Sequence, residues 1–365
     1  MGSTWGKNLN ITIFGESHGF AIGVTIDGFP AGVELDTVFI DKQMARRRPS
    51  SSSFSTKRKE ADEAEILSGI KDGHTTGAPI TAIIRNSDQH SGDYEEMMRI
   101  PRPSHADYTA SIRYENFHDV RGGGHFSGRL TAPIVFCGAL CRLALRRSQI
   151  ETVAHIKRIY DVEDKPFDLT DISKDEILRL QNASFPVLDE GAGASMMLIF
   201  ETAKEKLDSV GGIIECAVTG LPAGLGSPMF EGIENKISSL IFGIPAVKGI
   251  EFGTGFGFAG MFGSEANDPF IIENEKIRAK TNNNGGILGG ISTGMPVVFR
   301  TAIKPTPSIG QTQKSVDMVS HTETELSIKG RHDPCIVPRA VPVIENAAAI
   351  AVLDMMLEKN GYSGI

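Results

Sequence analysis

The sequence is poor in several features that would fix its function quickly, and each absence closes a class. Its four cysteines, Cys137, Cys141, Cys216 and Cys335, form no CxxC pair and no zinc-ligand spacing, which sets aside a metal module and a disulfide framework. Cys137 and Cys141 stand four apart in an apolar stretch and read as buried thiols. The opening MGSTWGKNLNITIF has no basic region followed by an apolar run, so no secretory signal is expected. No segment is expected to reach the roughly 20 apolar residues of a membrane span; a reduced, cytoplasmic chain without membrane contact is the resulting expectation. A net charge of −8 offers no global field for nucleic acid. A GxxxxGK[ST] phosphate loop is missing, and Ser17 in GESHG lacks the GxSxG spacing of a nucleophile elbow. GTGFGFAG (253–260) has the spacing GxGxxG, yet MFGSEANDPF after it makes a poor helix. A dinucleotide fingerprint needs that helix, so this stretch reads as a glycine-rich loop.

Four of the nine histidines lie in short blocks rich in glycine, arginine or proline: GESHG (15–19), RPSHAD (102–107), RGGGHFSGR (121–129) and KGRHDP (329–334). Glycine lets backbone approach a ligand, arginine binds carboxylate or phosphate, and histidine exchanges a proton near neutral pH. Singly, each block reads as a turn or a solvated helix end. Jointly they suggest one site assembled from distant loops for an anionic small molecule. With an acidic chain, that anion needs local cations, and Arg46, Arg47 and Arg48, followed by Lys57, Arg58 and Lys59, are the densest cluster.

A length of 365 residues suits two domains or one large duplicated body. LNITIF and AIGVTIDGF alternate as strands around GESHG, which places His18 on their connecting loop. Asp36 is positioned to cap a helix that runs through the three arginines and ends at Pro49. APITAIIRN (78–86) reads as a strand, 86–109 as a long loop carrying His105, and 128–147 as an apolar helix. A strand near 152–160 and a helix near 194–207 follow. VTIDGFPAGVELD (24–36) is echoed by CAVTGLPAGLGSP (216–228), and GAPITAIIRN (77–86) by GMPVVFRTAIKP (294–305). Two related strand–turn–helix–strand halves in one body are expected.

The blocks GESHG, RRRP (46–49), RPSHADYT (102–109), RGGGHFSGRLTA (121–132), GGILGGISTG (285–294), KPTPS (304–308) and GRHDPCIVPRAVPV (330–343) occur in this order. Together they closely resemble the chorismate synthase family, over roughly residues 5–358. The resemblance implies a lyase that converts 5-enolpyruvylshikimate 3-phosphate to chorismate and phosphate by anti-1,4 elimination. It implies reduced FMN (FMNH2) without net redox change, and no metal. The implied fold is α+β, a layered sandwich of helices and antiparallel sheets with an internal duplication and no Rossmann unit. One domain would span 1–365, with halves at about 8–150 and 210–358, usually in a homotetramer. An external flavin reductase is the implied source of reduced flavin. The alternative is a bifunctional form that reduces its own flavin with NADPH; the compact chain, without long insertions, favours the first.

Carried over residue by residue, the family pattern assigns His18 to the departing phosphate, His105 to the reduced flavin ring and Asp333 to removal of the ring proton. Arg47, Arg48, Arg129 and Arg331 are the implied substrate cations. His125, Phe126, Ser127, Pro245, Ala246, Gly289, Lys304, Pro305, Thr306, Pro307, Ser308 and Arg331 are the implied FMN contacts. The chain departs from the pattern where many members have Arg-Ser-Ser and this one has His125-Phe126-Ser127. It departs again at the serine run Ser50–Ser53, which replaces a common arginine, and at Pro245, which replaces an asparagine. Lys57 and Arg58 are the candidates to supply the missing charge. A flavin-binding protein without catalysis would not need His18, His105 and Asp333 together. A phosphatase or phosphotransferase would call for a phosphate loop or an acidic metal cluster.

Overall fold

Alternating segments at the start of the chain pair as expected. The computed structural model describes residues 2–48, 62–86, 98–328 and 333–361; Arg331, Pro49, Ser50–Ser53, Lys57, Arg58 and Lys59 lie outside the described residues. Strands β1 (Thr4–Trp5), β2 (Asn10–Gly15) and β3 (Ala21–Asp27) are joined in one sheet by β4 (Ala64–Ile66) and β7 (Ile80–Arg85), in the order β1-β2-β3-β7-β4. A small hairpin, β5 (Ile70–Lys71) with β6 (His74–Thr75), stands apart. In β7 the side chains of Ile80, Ala82 and Ile84 are buried and those between them less so, the two-residue period of a sheet with one core face.

The second sheet contains β8 (Glu151–Ile159), β9 (Val162–Glu163), β10 (Gly212–Thr219), β11 (Val247–Phe252) and β16 (Val297–Ile303), in the order β9-β8-β10-β16-β11. The two orders correspond position by position, β1 with β9, β2 with β8, β3 with β10, β7 with β16 and β4 with β11. The echoed sequences fall on corresponding strands: 24–27 and 216–219 on β3 and β10, and 80–85 and 297–303 on β7 and β16. Three further hairpins are β12 (Phe270–Glu273) with β13 (Lys276–Ala279), β14 (Ile287–Leu288) with β15 (Ile291–Ser292), and β17 (Gln313–Asp317) with β18 (Thr322–Leu326). After β11, GTGFGFAG forms a 3₁₀ turn at Gly255–Gly260 instead of a helix packed on the strand.

The helices are α1 (Thr37–Arg47), α2 (Asp107–Arg113), α3 (Thr131–Arg146), α4 (Lys174–Asn182), α5 (Glu190–Glu205), α6 (Ile233–Ile241), α7 (Gly263–Ala266) and α8 (Val337–Asn360). Asp36 caps α1 by accepting the Phe39 N–H at 2.9 Å, one of the orphan donors of a helix start. One expectation is corrected. Gly128–Arg146 and Val337–Lys359 are long and apolar enough to cross a membrane by length and composition, yet 94% and 100% of their windows are buried inside the fold. Helix α3 packs on β2, β3 and β7, helix α8 on β8 and β10, and the two on each other. Helices covered on every side are mostly apolar all round, and Arg142 on α3 and Glu345, Asn346 and Asp354 on α8 are among the buried polar exceptions. A Cβ on Gly138 would lie 2.3 Å from the Asn346 Cβ, so glycine allows this close crossing.

Buried charge ties the layers together. The Glu345 carboxylate, fully buried on α8, accepts from Arg46 Nη2 (3.0 Å), Arg142 Nη1 (3.2 Å) and the Ala154 N–H (2.9 Å). Burial pushes its pKa up, and the arginines and the N–H outweigh this and hold it below the ordinary carboxylate value. The outer face of the second sheet is covered too: Phe167, Ile172, Ile177 and Leu180 pack on Val153, Ala217 and Val298.

Candidate active site

The glycine triplet of RGGGHF is the centre of the site. Gly122, Gly123 and Gly124 have φ of 58°, 86° and 53°, a left-handed backbone that suits glycine. A Cβ on Gly122 would stand 2.1 Å from both Nδ1 and Cε1 of His18, and one on Gly123 would stand 3.3 Å from Nε2 of His105. Two histidines 87 positions apart in sequence therefore rest against adjacent glycines. GESHG is fixed from behind. The Ser17 N–H donates to Gly124 O at 3.1 Å, and the Asn86 amide donates to Glu16 O at 3.1 Å and Gly19 O at 2.8 Å. Ser17 Oγ lies 3.3 Å from His18 Nδ1. The Arg121 guanidinium holds Asp119 below the ordinary carboxylate value, with a smaller contribution from His18.

RPSHAD closes on itself. Asp107 accepts from His105 Nδ1 at 2.5 Å and from Arg102 Nε at 2.7 Å, and Arg102 Nη1 reaches Ser308 Oγ at 3.3 Å. That last bond brings in KPTPS. Lys304 extends its ammonium to Ser104 O, while its N–H donates to Ala246 O at 2.9 Å. Burial, with Lys248 nearby, pushes the Lys304 pKa down. Ala246 has a left-handed φ of 73°. Pro305 packs beside Gly211, where a Cβ would lie 3.0 Å from its Cδ. The Thr306 carbonyl accepts from Ser209 Oγ at 2.7 Å, and Pro307 O from Gln313 Nε2 at 3.3 Å. Thr306 Oγ1 donates to Asp333 O at 3.3 Å. Asp333 Oδ2 in turn accepts from Arg339 Nη1 at 2.8 Å, and Arg339 Nε donates to Arg47 O at 3.1 Å. His18, His105, Lys304 through Ser308 and Asp333 thus form one linked arc around the start of α8 and the end of α1.

Other expected residues face elsewhere. The three arginines of RRRP diverge, because successive helix positions turn by about 100°. Arg46 goes to Glu345, and only Arg48 is exposed. Arg47 differs from the expected substrate contact: its side chain is 2% exposed, with Nη2 3.0 Å from Asp62 Oδ2 and Nη1 3.3 Å from Arg129 O. Arg129 meets the same Asp62 through Oδ1 and donates from Nε to Asn86 Oδ1 at 3.1 Å. The buried Asp62 carboxylate pairs with both guanidinium groups. His125 has both ring nitrogens engaged, Nδ1 with Gly15 O at 2.8 Å and Nε2 with Ser3 Oγ at 2.9 Å. Phe126 tilts against Tyr114 at 6.3 Å, and Ser127 Oγ accepts the Arg129 N–H. Pro245 precedes Ala246 beyond the end of α6, whereas Gly289 sits on the β14–β15 hairpin, beside Gly290 O, which accepts the first N–H of α6. Nine residues of α6, about 13 Å at 1.5 Å each, separate this hairpin from Pro245 and Ala246.

Arg102, Asp107, Asp119 and Arg339 were not singled out from the sequence, although the site depends on them. The signal for two of them was present: in RPSHAD an arginine stands three residues before the histidine and an aspartate two after it, within reach of the ring in a tight loop.

The chain matches the family model described as chorismate synthase over residues 9–357. It is 46% identical over 360 residues to the chorismate synthase of Thermococcus kodakarensis, covering 99% of each chain. To that of Methanosarcina acetivorans it is 45% identical over 362 residues, 99% of this chain and 97% of the relative. A solved structure titled "Crystal Structure of Chorismate Synthase" superposes with a TM-score of 0.76 at 27% identity, over 98% of this chain and 94% of that one. Sequence and fold agree over nearly the whole length, and the chain belongs to the chorismate synthase family, lyases that act on a carbon–oxygen bond.

Proposed function

We propose that the arc around His18, His105 and Asp333 is where this chain eliminates phosphate from 5-enolpyruvylshikimate 3-phosphate to give chorismate. The observation that supports this most is the glycine triplet, which seats two proton-bearing side chains on adjacent residues. In the elimination the C–O bond to phosphate breaks, phosphate leaves with its electron pair, and a ring hydrogen departs as a proton. His18, beside Ser17, donates to the departing phosphate. Asp333, held by Arg339, is the carboxylate that assists removal of the ring proton. Arg48, Arg129 and Arg331 are the cations proposed for the substrate's carboxylates and phosphate, and Arg47 meets Arg129 at their shared partner Asp62.

Reduced FMN fits the residues present. Side chains on Gly122 and Gly123 would fill the space against the two histidines, and Lys304 offers a partly desolvated cation for an anionic group. Lys304, Pro305, Thr306, Pro307, Ser308, Pro245, Ala246, Phe126, Ser127 and Arg331 are the proposed holders, with His125 acting through Ser3 and Gly15. When bound, reduced FMN supplies electron density to the breaking C–O bond, which side chains of this kind do not provide. Gly289 belongs to this set only if another subunit presents it, as a homotetramer would allow. The same reading takes the halves 8–150 and 210–358 as copies of one unit, the chain as cytoplasmic, and an external reductase as the flavin's electron source. Relatives of the same length and the described residues give no support to an NADPH-dependent flavin reductase activity in this chain.

The test is an anaerobic assay with purified substrate. Chorismate is expected with reduced FMN and not with oxidised FMN alone; turnover without any reduced flavin would overturn the proposal.

A further inference from the structure

We infer that Asp107 is a positioning residue for His105: backed by Arg102, it fixes the imidazole as the Nδ1–H tautomer and leaves Nε2 as the nitrogen that faces the reaction space at Gly123. This rests on the proposed role of His105 in the active site. The Asp107 carboxylate is 6% exposed, and all four of its acceptor directions are filled. Oδ1 lies 2.5 Å from His105 Nδ1 and accepts from Arg102 Nη2 at 2.8 Å; Oδ2 accepts from Arg102 Nε at 2.7 Å and the Arg102 backbone N–H at 3.0 Å. An ionised carboxylate only accepts. Burial pushes the Asp107 pKa up, but the hydrogen bonds from Arg102 and His105 outweigh it, and the group is held well below the usual carboxylate range.

The tautomer follows from the donors. Arg102 Nη2 lies 3.0 Å from His105 Nδ1, within reach of donating to a bare ring nitrogen. A bare Nδ1, however, would set its lone pair against that of Oδ1 at 2.5 Å. The arrangement without repulsion puts a proton on Nδ1, so that ring and guanidinium both donate to Oδ1. The loop is locked from outside as well. Ser104 has a left-handed φ of 60°, and its carbonyl accepts from Lys304 Nζ, while Arg102 Nη1 bonds Ser308. Nε2 then has its approach open only because residue 123 is glycine, since a Cβ there would press on it at 3.3 Å. A carboxylate that sets the tautomer of a working histidine is a known device for aiming a single nitrogen at substrate.

The experiment is ¹⁵N NMR of histidine-labelled protein at a pH where His105 is neutral, with anaerobic kinetics of Asp107→Asn. Wild type is expected to carry the His105 proton on Nδ1. Asp107→Asn is expected to move it toward Nε2 and to lower kcat at least tenfold, within the roughly 10²–10⁴-fold reach of a positioned acid–base group. Substrate KM should stay within about threefold, and the pH profile of kcat should change shape. An Nε2–H tautomer in wild type would overturn the inference without any variant, as would Asp107→Asn with wild-type tautomer and kcat. Failure of the underlying reading looks different: His105→Ala would turn over normally while the wild-type ring still showed the Nδ1 proton.

Discussion

The two five-stranded sheets share one strand order and hold their histidines in different settings. In the first half, His18 lies on the connection between β2 and β3, and His105 on a self-closed loop just before α2. In the second, the connection between β9 and β10 holds α4 and α5, and the segment with α4 covers the sheet's outer face. His155 lies there, fully buried, with Nδ1 3.1 Å from Asp164 Oδ2 and Nε2 3.0 Å from Glu215 Oε2; the Phe167 ring meets its edge at 4.6 Å. Burial alone pushes its pKa down, but the hydrogen bonds and charges of the two carboxylates outweigh this and raise it above the ordinary histidine value. Both nitrogens of His155 face buried carboxylates, which favours its protonated form, and the ring belongs to the scaffold. The matched nitrogen of His105 is one of two, and the other faces outward. On the proposed reading, His105 differs from His155 in keeping one ring nitrogen for the reaction, while both of the His155 nitrogens go to carboxylates.

The largest expected effect lies in the first half. His18→Ala and His105→Ala should each lower kcat by roughly 10²–10⁴ with the far-UV spectrum intact, since both rings sit on loops; near-wild-type kcat in either removes that histidine from the mechanism. In the second half the loss should appear as stability. His155→Gln leaves buried Asp164 without its cation and Glu215 with only the Arg300 cation at 3.6 Å, and should cost about 3–5 kcal/mol in urea unfolding, while kcat per folded molecule holds. The sign with pH is fixed by the raised pKa. The contribution of His155 is complete below the unfolded-state value and fades as pH rises through the folded one. Wild type should therefore lose stability on that climb, and His155→Gln should lose less. A parallel loss in both would place the effect elsewhere.

Smaller changes sharpen the same contrast. Arg48→Ala removes a charge-assisted contact of ~1.5–3 kcal/mol and should raise the substrate Kd from about tenfold to a hundredfold or more, with flavin affinity little changed. Calorimetric titration into the flavin complex measures both. At the edge of the first sheet, Arg85 and Glu65 pair at 2.8 Å with side chains 55% and 51% exposed. Glu65→Ala should cost under about 1 kcal/mol in thermal unfolding, far below the loss at His155.

Much of this was legible in the sequence where local chemistry speaks. Asp36 marks the start of α1, GESHG links two strands, and the echoed GxPAG turns fall after corresponding strands. The helix expected at 128–147 appears as α3 after a short turn, and the one expected near 194–207 starts earlier, at Glu190, where the Asp189 side chain caps it. Helix α8 gave no periodic signal, since its described side chains from 337 to 357 are almost all covered and its few polar residues after Arg339, Glu345, Asn346 and Asp354, are buried with the rest. The direction of Arg47 was illegible for another reason: its partner Asp62 is 15 positions away in sequence, and only tertiary packing decides that a carboxylate there is sealed from water. His125 was read from its place in a motif, while its ring bonds Ser3 and Gly15 from a strand pair formed more than a hundred residues earlier.

The division between the halves is tested most directly by ¹⁵N spectra of all nine histidines as 5-enolpyruvylshikimate 3-phosphate is added with oxidised FMN, a complex that does not turn over. The ring signals of His18 and His105 should move, and that of His155 should stay where it was. Movement at His155 with His18 and His105 unchanged would contradict the account.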